Sequence, residues 1–533
     1  MEQAVKKDES LKSQELAAKL WAIANDMRGN MDAMKFKDYI LGIIFYRYLS
    51  ERTEVYAKDL LKDDNLTYKQ AMSDSSMSET VKKWSLDTLG YVIEPDYLFG
   101  SLIDEINNVG GKTFSIDHLQ KAISKLTEST IGHESEFAYD KLFDDMNLED
   151  KDLGPDVKTR TALMSKIMSH INDISFGFED DGFDVLGTAY MILIGNFASD
   201  AGKKGGEFFT PTCASKLLAR LATSGLQRVK DVYDPCAGSG SLLLQVRNAV
   251  ATKEVGHYYA NELNGSTYNL LRMNLLMHGV PFKFFTTFNC DTLGPDKLYE
   301  NGKVVPIQVQ VSNPPFSANW NPTEATADDP RFSAAGALAP KSKADLAFVE
   351  SMVYHMSDDG RIAVILPHGD LFRGNSEEQI RKYFIDKLNI IDAVIGLPAN
   401  MFHGTSIPVC IIVLKKKRNG NSGNILFIDA SKEFVAKKNQ NMLSDEQVDK
   451  IVNTYENRKD VDKYAHVAIL EEIVKNDYNL NIPRYVDTFE EEAPIDINSV
   501  ISDLKKLNAE KKELDKEIAA SLKELGIKYD IGE

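Results

Sequence analysis

The residues with the clearest chemical capacity are Asn313-Pro314-Pro315-Phe316. Two prolines in a row fix the backbone and remove two N–H donors, which leaves carbonyl oxygens free to accept. The Asn313 side-chain oxygen and a neighbouring carbonyl can accept both hydrogens of one amino group. An amine held that way aims its lone pair at whatever electrophile lies opposite. An exocyclic amine on a ring such as adenine is a poor nucleophile, because its lone pair is delocalised. Holding it towards tetrahedral geometry restores nucleophilicity by positioning and electrostatics, with no covalent intermediate. Phe316 offers a flat wall, and a base stacked on an aromatic ring gains roughly 1–3 kcal/mol. The same four residues also make a good turn, so their weight depends on the segments before them.

Those segments supply a cofactor cradle. Asp234-Pro-Cys-Ala-Gly238-Ser239-Gly240-Ser241 joins a β-rich run to the helical stretch Leu242–Ala249. Its glycines allow a tight turn and close approach of backbone to a ligand, and Ser241 could cap the helix. Glu262 ends the next run, about 20 residues on, where doubly wound folds place an acid on ribose hydroxyls. Asp291 follows the third run and can accept from an adenine amine. Each acid alone could be a helix cap; a glycine turn and two acids after three successive runs are harder to explain that way. No GxxxxGK[ST] pattern is present, which argues against a nucleoside triphosphate.

The elements that must position these residues are short β-rich runs alternating with helical stretches between about 185 and 430. The runs are Val229–Tyr233, His257–Ala260, Lys283–Phe288, Val304–Ser312, Arg361–Leu366, Ile390–Leu397 and Val409–Leu414. This alternation predicts an α/β fold, a doubly wound Rossmann-like sheet that binds ligands at its carboxyl strand ends. The last two runs are expected to pair as an antiparallel edge hairpin.

Residues 1–165 read as a helical N-terminal domain, with Leu16–Ala24 and Tyr39–Leu49 as helices separated at Gly29-Asn30. The sheet domain is placed at 166–480, with 433–470 charged and helical, and 481–533 as a helical tail. In that tail Val500, Leu504, Leu507, Lys511, Leu514, Ile518, Ser521 and Leu525 recur at spacings of four and three, a coiled-coil-like stripe suited to docking on a partner or on its own chain.

The net charge is −18. A protein that grips DNA alone usually shows a basic excess, so a role on DNA would need either a local basic strip or another chain to bring it. Cys213, Cys236, Cys290 and Cys410 lie far apart, without a CxxC pair, and suggest single thiols and no metal site. No run of about 18 apolar residues could span a membrane, and the charged N-terminus lacks a signal-peptide core. A cytoplasmic protein is expected.

Together these residues resemble the amino-methyltransferases that use S-adenosyl-L-methionine, and more closely the modification subunit of type I restriction–modification systems. Three further segments carry that resemblance: Gly205-Gly-Glu207-Phe208-Phe209-Thr210-Pro211, Val185–Tyr190 with Phe197-Ala198, and Asn476–Tyr485. The resemblance implies a methyltransferase sheet and methylation of adenine N6 in DNA. Glu207, Phe208, Phe209, Thr210, Pro211 and Thr212 would line the cofactor site. Asp234, Gly238, Ser239, Gly240 and Ser241 would cradle the methionine part, Glu262 the ribose and Asp291 the adenine of the cofactor. Asn313, Pro314, Pro315 and Phe316 would form the target site for a base flipped out of double-stranded DNA, since its amine is otherwise paired and stacked. The implied partners are a specificity subunit, a second modification subunit and sometimes a restriction subunit. A specificity subunit would supply base readout, which makes an acidic catalytic chain tolerable.

Other readings stay open at this point. Asn-Pro-Pro-aromatic also serves protein amides and RNA bases, and a non-enzymatic cofactor-binding scaffold is conceivable. Ser317–Ala344 could be a lid with Arg331 and Lys341 near phosphates, or only a flexible insertion. His368 could lie near the base or be structural. Lys415–Arg418 could touch DNA or simply block a solvated strand edge. Asp345 and Phe348 open a helix that either faces the site or is merely capped and packed.

Overall fold

A computed structural model describes residues 12–23, 33–175, 182–200, 210–402, 406–437, 440–488 and 497–526. Glu207, Phe208, Phe209 and the Gly29-Asn30 break lie outside the described residues. The chain divides into two compact units, Met1–Val486 and Asp487–Glu533.

The first part of the larger unit is helical. Its central helix, Ala33–Leu60, contains the Tyr39–Leu49 segment, whose residues are almost all buried. A helix that is apolar all round must be covered all round. Its tyrosines satisfy their hydroxyls at the rim of that packing: Tyr46 donates to the Tyr97 carbonyl at 2.6 Å and Tyr48 to the Leu276 carbonyl at 2.7 Å. The second contact already reaches the sheet region. Arg272, 2% exposed, goes the other way and donates to the carbonyls of Phe137 and Asp140, both at 2.8 Å. Asn269 Nδ2 donates to Asp145 Oδ2 at 2.8 Å.

A nine-stranded sheet follows. Its strands are β1 (Val229–Asp234), β2 (Val255–Glu262), β3 (Phe285–Asn289), β4 (Ile307–Ser312), β5 (Met356–Pro367), β6 (Ile391–Gly396), β7 (Val409–Lys415), β8 (Asn424–Asp429) and β9 (Ala465–Ile469). The order across the sheet is β9-β8-β6-β7-β5-β4-β1-β2-β3. The chain moves outward from β1 through β2 to β3, then restarts at β4 on the other side of β1. The β1/β4 junction is therefore the switch point, where such sheets open a crevice at the carboxyl strand ends. β4 and β6 are buried at every position, as expected for strands covered on both faces.

Two expectations change here. β6 and β7 do pair antiparallel, but β7 lies between β5 and β6, inside the sheet. Two strands within the stretch after 414 extend the sheet beyond β6: β8 runs parallel to β6, and β9 antiparallel to β8. The region 433–470 thus contributes a helix, Asp445–Asn457, and an edge strand.

The Lys415–Arg418 run closes an interior strand, with Lys416 and Lys417 exposed and the two end residues drawn inward. Arg418 is buried, and its Nε donates to Asp392 Oδ1 at 3.0 Å. Lys415 and Arg458 converge on the same carboxylate, and Tyr455 donates to it at 2.7 Å. Burial raises the Asp392 carboxyl, but the three cations outweigh it and hold it below the usual range.

In the smaller unit, helix Ile497–Glu524 has no buried residue. Val500, Leu504, Leu507, Leu514 and Ile518 are all exposed on it, so the stripe anticipated in the tail is helical.

Candidate active site

Asp234, Glu262, Asp291 and Asn313 stand at or just past the carboxyl ends of β1, β2, β3 and β4. Because those strands are neighbours in the order β3-β2-β1-β4, the four residues share one edge of the sheet.

Asp234 is fully buried. Its Oδ1 accepts from the Cys236 N–H and the Ser312 hydroxyl, each at 2.9 Å, while Oδ2 has no partner. Burial pushes the carboxyl up to about 7, against the pull of those two bonds. The glycine turn follows. Gly238 and Gly240 have φ of 54° and 79°, where a side chain is strained. A Cβ on Gly240 would also lie 2.6 Å from a Leu271 methyl. Gly240 is the N-cap of helix Ser241–Ala249, and Ser241 is its first helical residue, so the capping role expected of Ser241 is not realised. The Ser239 carbonyl is held by Asn274 Nδ2 at 2.7 Å.

Glu262 is 8% exposed. Its carboxylate spans two backbone donors, Gly238 N–H at 2.9 Å and Asn264 N–H at 2.8 Å. It thereby ties the glycine turn to the end of β2. Burial raises its pKa against these bonds. Asp291 is exposed, and its Oδ1 accepts from the Leu293 N–H at 2.9 Å, a local turn closure.

Asn313 leaves β4 with its Nδ2 donating to Thr210 Oγ1 at 3.2 Å, and its Oδ1 is buried without a partner. With Nδ2 turned to Thr210, the amide oxygen is left as an acceptor for something else. Pro314 is buried and Pro315 exposed. Phe316 is half-buried, edge-on to Phe402 at 5.7 Å between centroids. Thr210 and Pro211 are buried and Thr212 is exposed at the start of helix Thr212–Thr223. Thr210, anticipated beside a cofactor, also touches Asn313.

A support behind this corner was only partly anticipated. Ser317 has φ of 52°, and its N–H donates to Asp345 Oδ1 at 2.8 Å. Asp345 is fully buried, and its Oδ2 lies 3.8 Å from Arg373 Nη2. Arg373 also pairs with Asp370 and, at 2.7 Å, with Glu377. Burial first, and then the like charge of Asp345, push Asp370 up to about 8. Among these residues only Asp345 stood out in the sequence. Ser312, Asp370, Arg373 and Phe402 did not, since their partners are far away along the chain.

The 317–344 segment is packed. It holds short helices Glu324–Asp328 and Pro330–Ser333, and Trp320 and Phe332 are buried. Arg331 is buried too, donating to the Thr292 carbonyl at 2.8 Å and the Gly294 carbonyl at 2.6 Å. It anchors the segment to the turn after Asp291 and does not offer itself to phosphates; Lys341 is exposed. His368 bonds through Nε2 to the Val409 carbonyl at 3.0 Å, and burial lowers its pKa, which fits a structural role. Among the described residues, no group of three or more His, Cys, Asp or Glu could hold a metal ion, and no helix is long and apolar enough to cross a membrane.

A glycine cradle tied to an acid, beside a corner with an orphaned amide oxygen, defines the class: a methyltransferase acting on an amino nitrogen. The chain belongs to the N-6 DNA Methylase family, whose model matches residues 181–493, and the HsdM N-terminal domain model matches residues 16–171. It is a catalytic modification subunit of the type I kind. It is 36% identical over 531 residues to the MpnII methylase subunit of a type I restriction enzyme from Mycoplasma pneumoniae, covering 96% of each chain. It is 26% identical to the type I MjaIX methylase subunit of Methanocaldococcus jannaschii, over 96% of this chain and 92% of that one. The crystal structure of a type I methyltransferase subunit from Streptococcus thermophilus superposes with a TM-score of 0.81 at 40% identity, covering 89% of this chain and 100% of that one.

Proposed function

We propose that this chain transfers the methyl group of S-adenosyl-L-methionine to N6 of an adenine flipped out of double-stranded DNA, within a complex whose specificity subunit chooses the site. The observation that carries the reading is the buried, unpartnered Oδ1 of Asn313, with Nδ2 of the same amide anchored on Thr210.

The residues at the strand ends suit such a cofactor. Asp234 Oδ2 is an orphaned buried acceptor, and the backbone at Gly238 and Gly240 is bare of side chains. Asp234, Gly238, Ser239, Gly240 and Ser241 would hold the methionine part, Glu262 the ribose and Asp291 the adenine, with Glu207, Phe208, Phe209, Thr210, Pro211 and Thr212 lining the rest. Bound there, S-adenosyl-L-methionine supplies an electrophilic methyl group on a sulfonium.

The chain's own part is positioning. Asn313 Oδ1 accepts one N6 hydrogen, and the proline corner offers a carbonyl for the other. With both hydrogens held, the nitrogen is drawn towards tetrahedral geometry and its lone pair out of conjugation with the ring. Phe316 stacks on the base and helps meet the cost of unstacking it from the duplex.

We read residues 1–165 and 481–533 as docking regions and 166–480 as the catalytic domain. The partners would be a specificity subunit, a second modification subunit and, in some complexes, a restriction subunit. A net charge of −18 supports a division of labour in which another chain makes most phosphate contacts. Acting on the cell's own DNA, the complex would be cytoplasmic.

The test is transfer of tritiated methyl from S-adenosyl-L-methionine to duplex DNA, RNA and protein, with and without the specificity subunit. Label in DNA as N6-methyladenine, dependent on that subunit, is expected. Label confined to RNA or protein overturns the reading.

A further inference from the structure

Helix Asp345–Tyr354 also borders a cavity of about 190 Å³ whose wall includes Glu350, Val353, Tyr354, Met356, Tyr383 and Phe384. Met356 opens β5, so the cavity lies towards the opposite ends of the strands from Asn313. We propose that this cavity is a second binding site, for a small flat ligand that carries an N–H next to a hydrogen-bond acceptor on an otherwise apolar ring, and that Glu350 reads that edge.

Glu350 is 4% exposed, and its Oε2 has no hydrogen-bond partner. Buried polar groups are normally paired, so an unpaired one in a cavity wall points to a missing partner. Three other polar side chains in the wall are already engaged. Arg331 holds the Thr292 and Gly294 carbonyls, Lys416 faces the Met356 carbonyl and Asp358, and the Tyr354 hydroxyl meets that of Tyr299. Burial pushes the Glu350 carboxyl up to about 9. At neutral pH it is an uncharged acid, with one O–H to give and a carbonyl to accept.

That protonation state selects the ligand chemistry. A cation would have to shed its own hydration and drive a proton off Glu350. A neutral edge with one donor and one acceptor pairs with the acid as it stands. The size fits as well, since a cavity of roughly 150 Å³ accepts benzene. Tyr354, Tyr383 and Phe384 supply the aromatic contacts that a flat ring prefers.

The experiment uses the full chain with 2-aminopyridine as probe, at mildly alkaline pH where the probe is neutral, followed by ligand-detected NMR titration. 2-Methylpyridine, which has nearly the same shape but no N–H, is the control. Saturable binding of 2-aminopyridine is expected, at least about tenfold tighter than the control. Glu350→Gln keeps a donor and an acceptor and should bind within about threefold of the unaltered chain. Glu350→Leu should lose at least about tenfold, with thermal unfolding confirming that it is folded. Equal affinity for the two probes overturns the proposal, whether or not the Leu variant folds. So does undiminished binding to a folded Glu350→Leu chain, or loss of binding in Glu350→Gln.

Discussion

The Ser312 hydroxyl donates a 2.9 Å hydrogen bond to Asp234 Oδ1, joining the residue just before Asn313 to the acid just before the glycine turn. The end of β4 is thereby fixed against the start of the glycine turn. Both partners are buried, so the link is screened from water and held by the sheet.

Asn313→Ala removes the acceptor aimed at the amine and leaves the glycine turn untouched. Methyl transfer to DNA by the assembled complex should fall by at least about a hundredfold. Cofactor affinity, measured by calorimetry, should stay within about threefold, because the loss is of positioning. Full activity in this variant would remove the proposed target site.

Glu262→Gln keeps one acceptor for the Gly238 or Asn264 N–H but loses the carboxylate. Cofactor binding should weaken about tenfold, while the thermal midpoint changes little. Gly240→Asp is more damaging, since φ is 79° and a Cβ would meet Leu271. It should lower both the midpoint and cofactor affinity.

Asp234 gives a pH signature. Its carboxyl titrates near 7 when folded, against a reference of 3.8. Between about pH 4 and pH 7 the unfolded chain has released a proton that the folded chain retains. The stabilisation linked to that proton is complete below about 4 and disappears as pH rises to 7. Unfolding free energy should therefore fall across this window more steeply than in Asp234→Asn, by up to about 1.4 kcal/mol per pH unit. Parallel curves for the two proteins in denaturant titrations would contradict the assignment.

Asp345→Asn tests the support behind the corner. Asn keeps an acceptor for the Ser317 N–H but removes the charge facing Arg373. The turn after Phe316 should loosen, lowering kcat for DNA by roughly tenfold with little change in KM for the cofactor. Asp345→Ala, which removes the acceptor as well, should be worse on both counts.

Removing residues 487–533 takes away the smaller compact unit with its stripe of exposed apolar residues. Thermal unfolding of the remaining chain should be nearly unchanged. Co-purification with the specificity subunit should be lost, and retained binding would move the docking surface elsewhere.

How much of this was legible in the sequence depends on how local each cause is. Asn313-Pro-Pro-Phe, the glycine turn and Glu262 are contiguous or end a strand, so residue type and spacing reveal them. The strands β1 to β7 were found because each is a short apolar run between turns. β8 and β9 were missed because they lie among charged segments, and β9 is an edge strand with only part of its length buried. Lys415–Arg418 looked like a wet edge because its counter-charge, Asp392, is over twenty positions away. Arg331 misled differently: its counter-charge, Asp329, is only two positions away, but the Thr292 and Gly294 carbonyls that also hold it leave no charge pattern.

Arg272 donates to the carbonyls of Phe137 and Asp140, and Tyr48 donates to that of Leu276. The helical region and the sheet region thus carry no insulation against each other. They should melt in a single calorimetric step, and an expression clone cut between them would yield two halves that each leave a bare, sticky face.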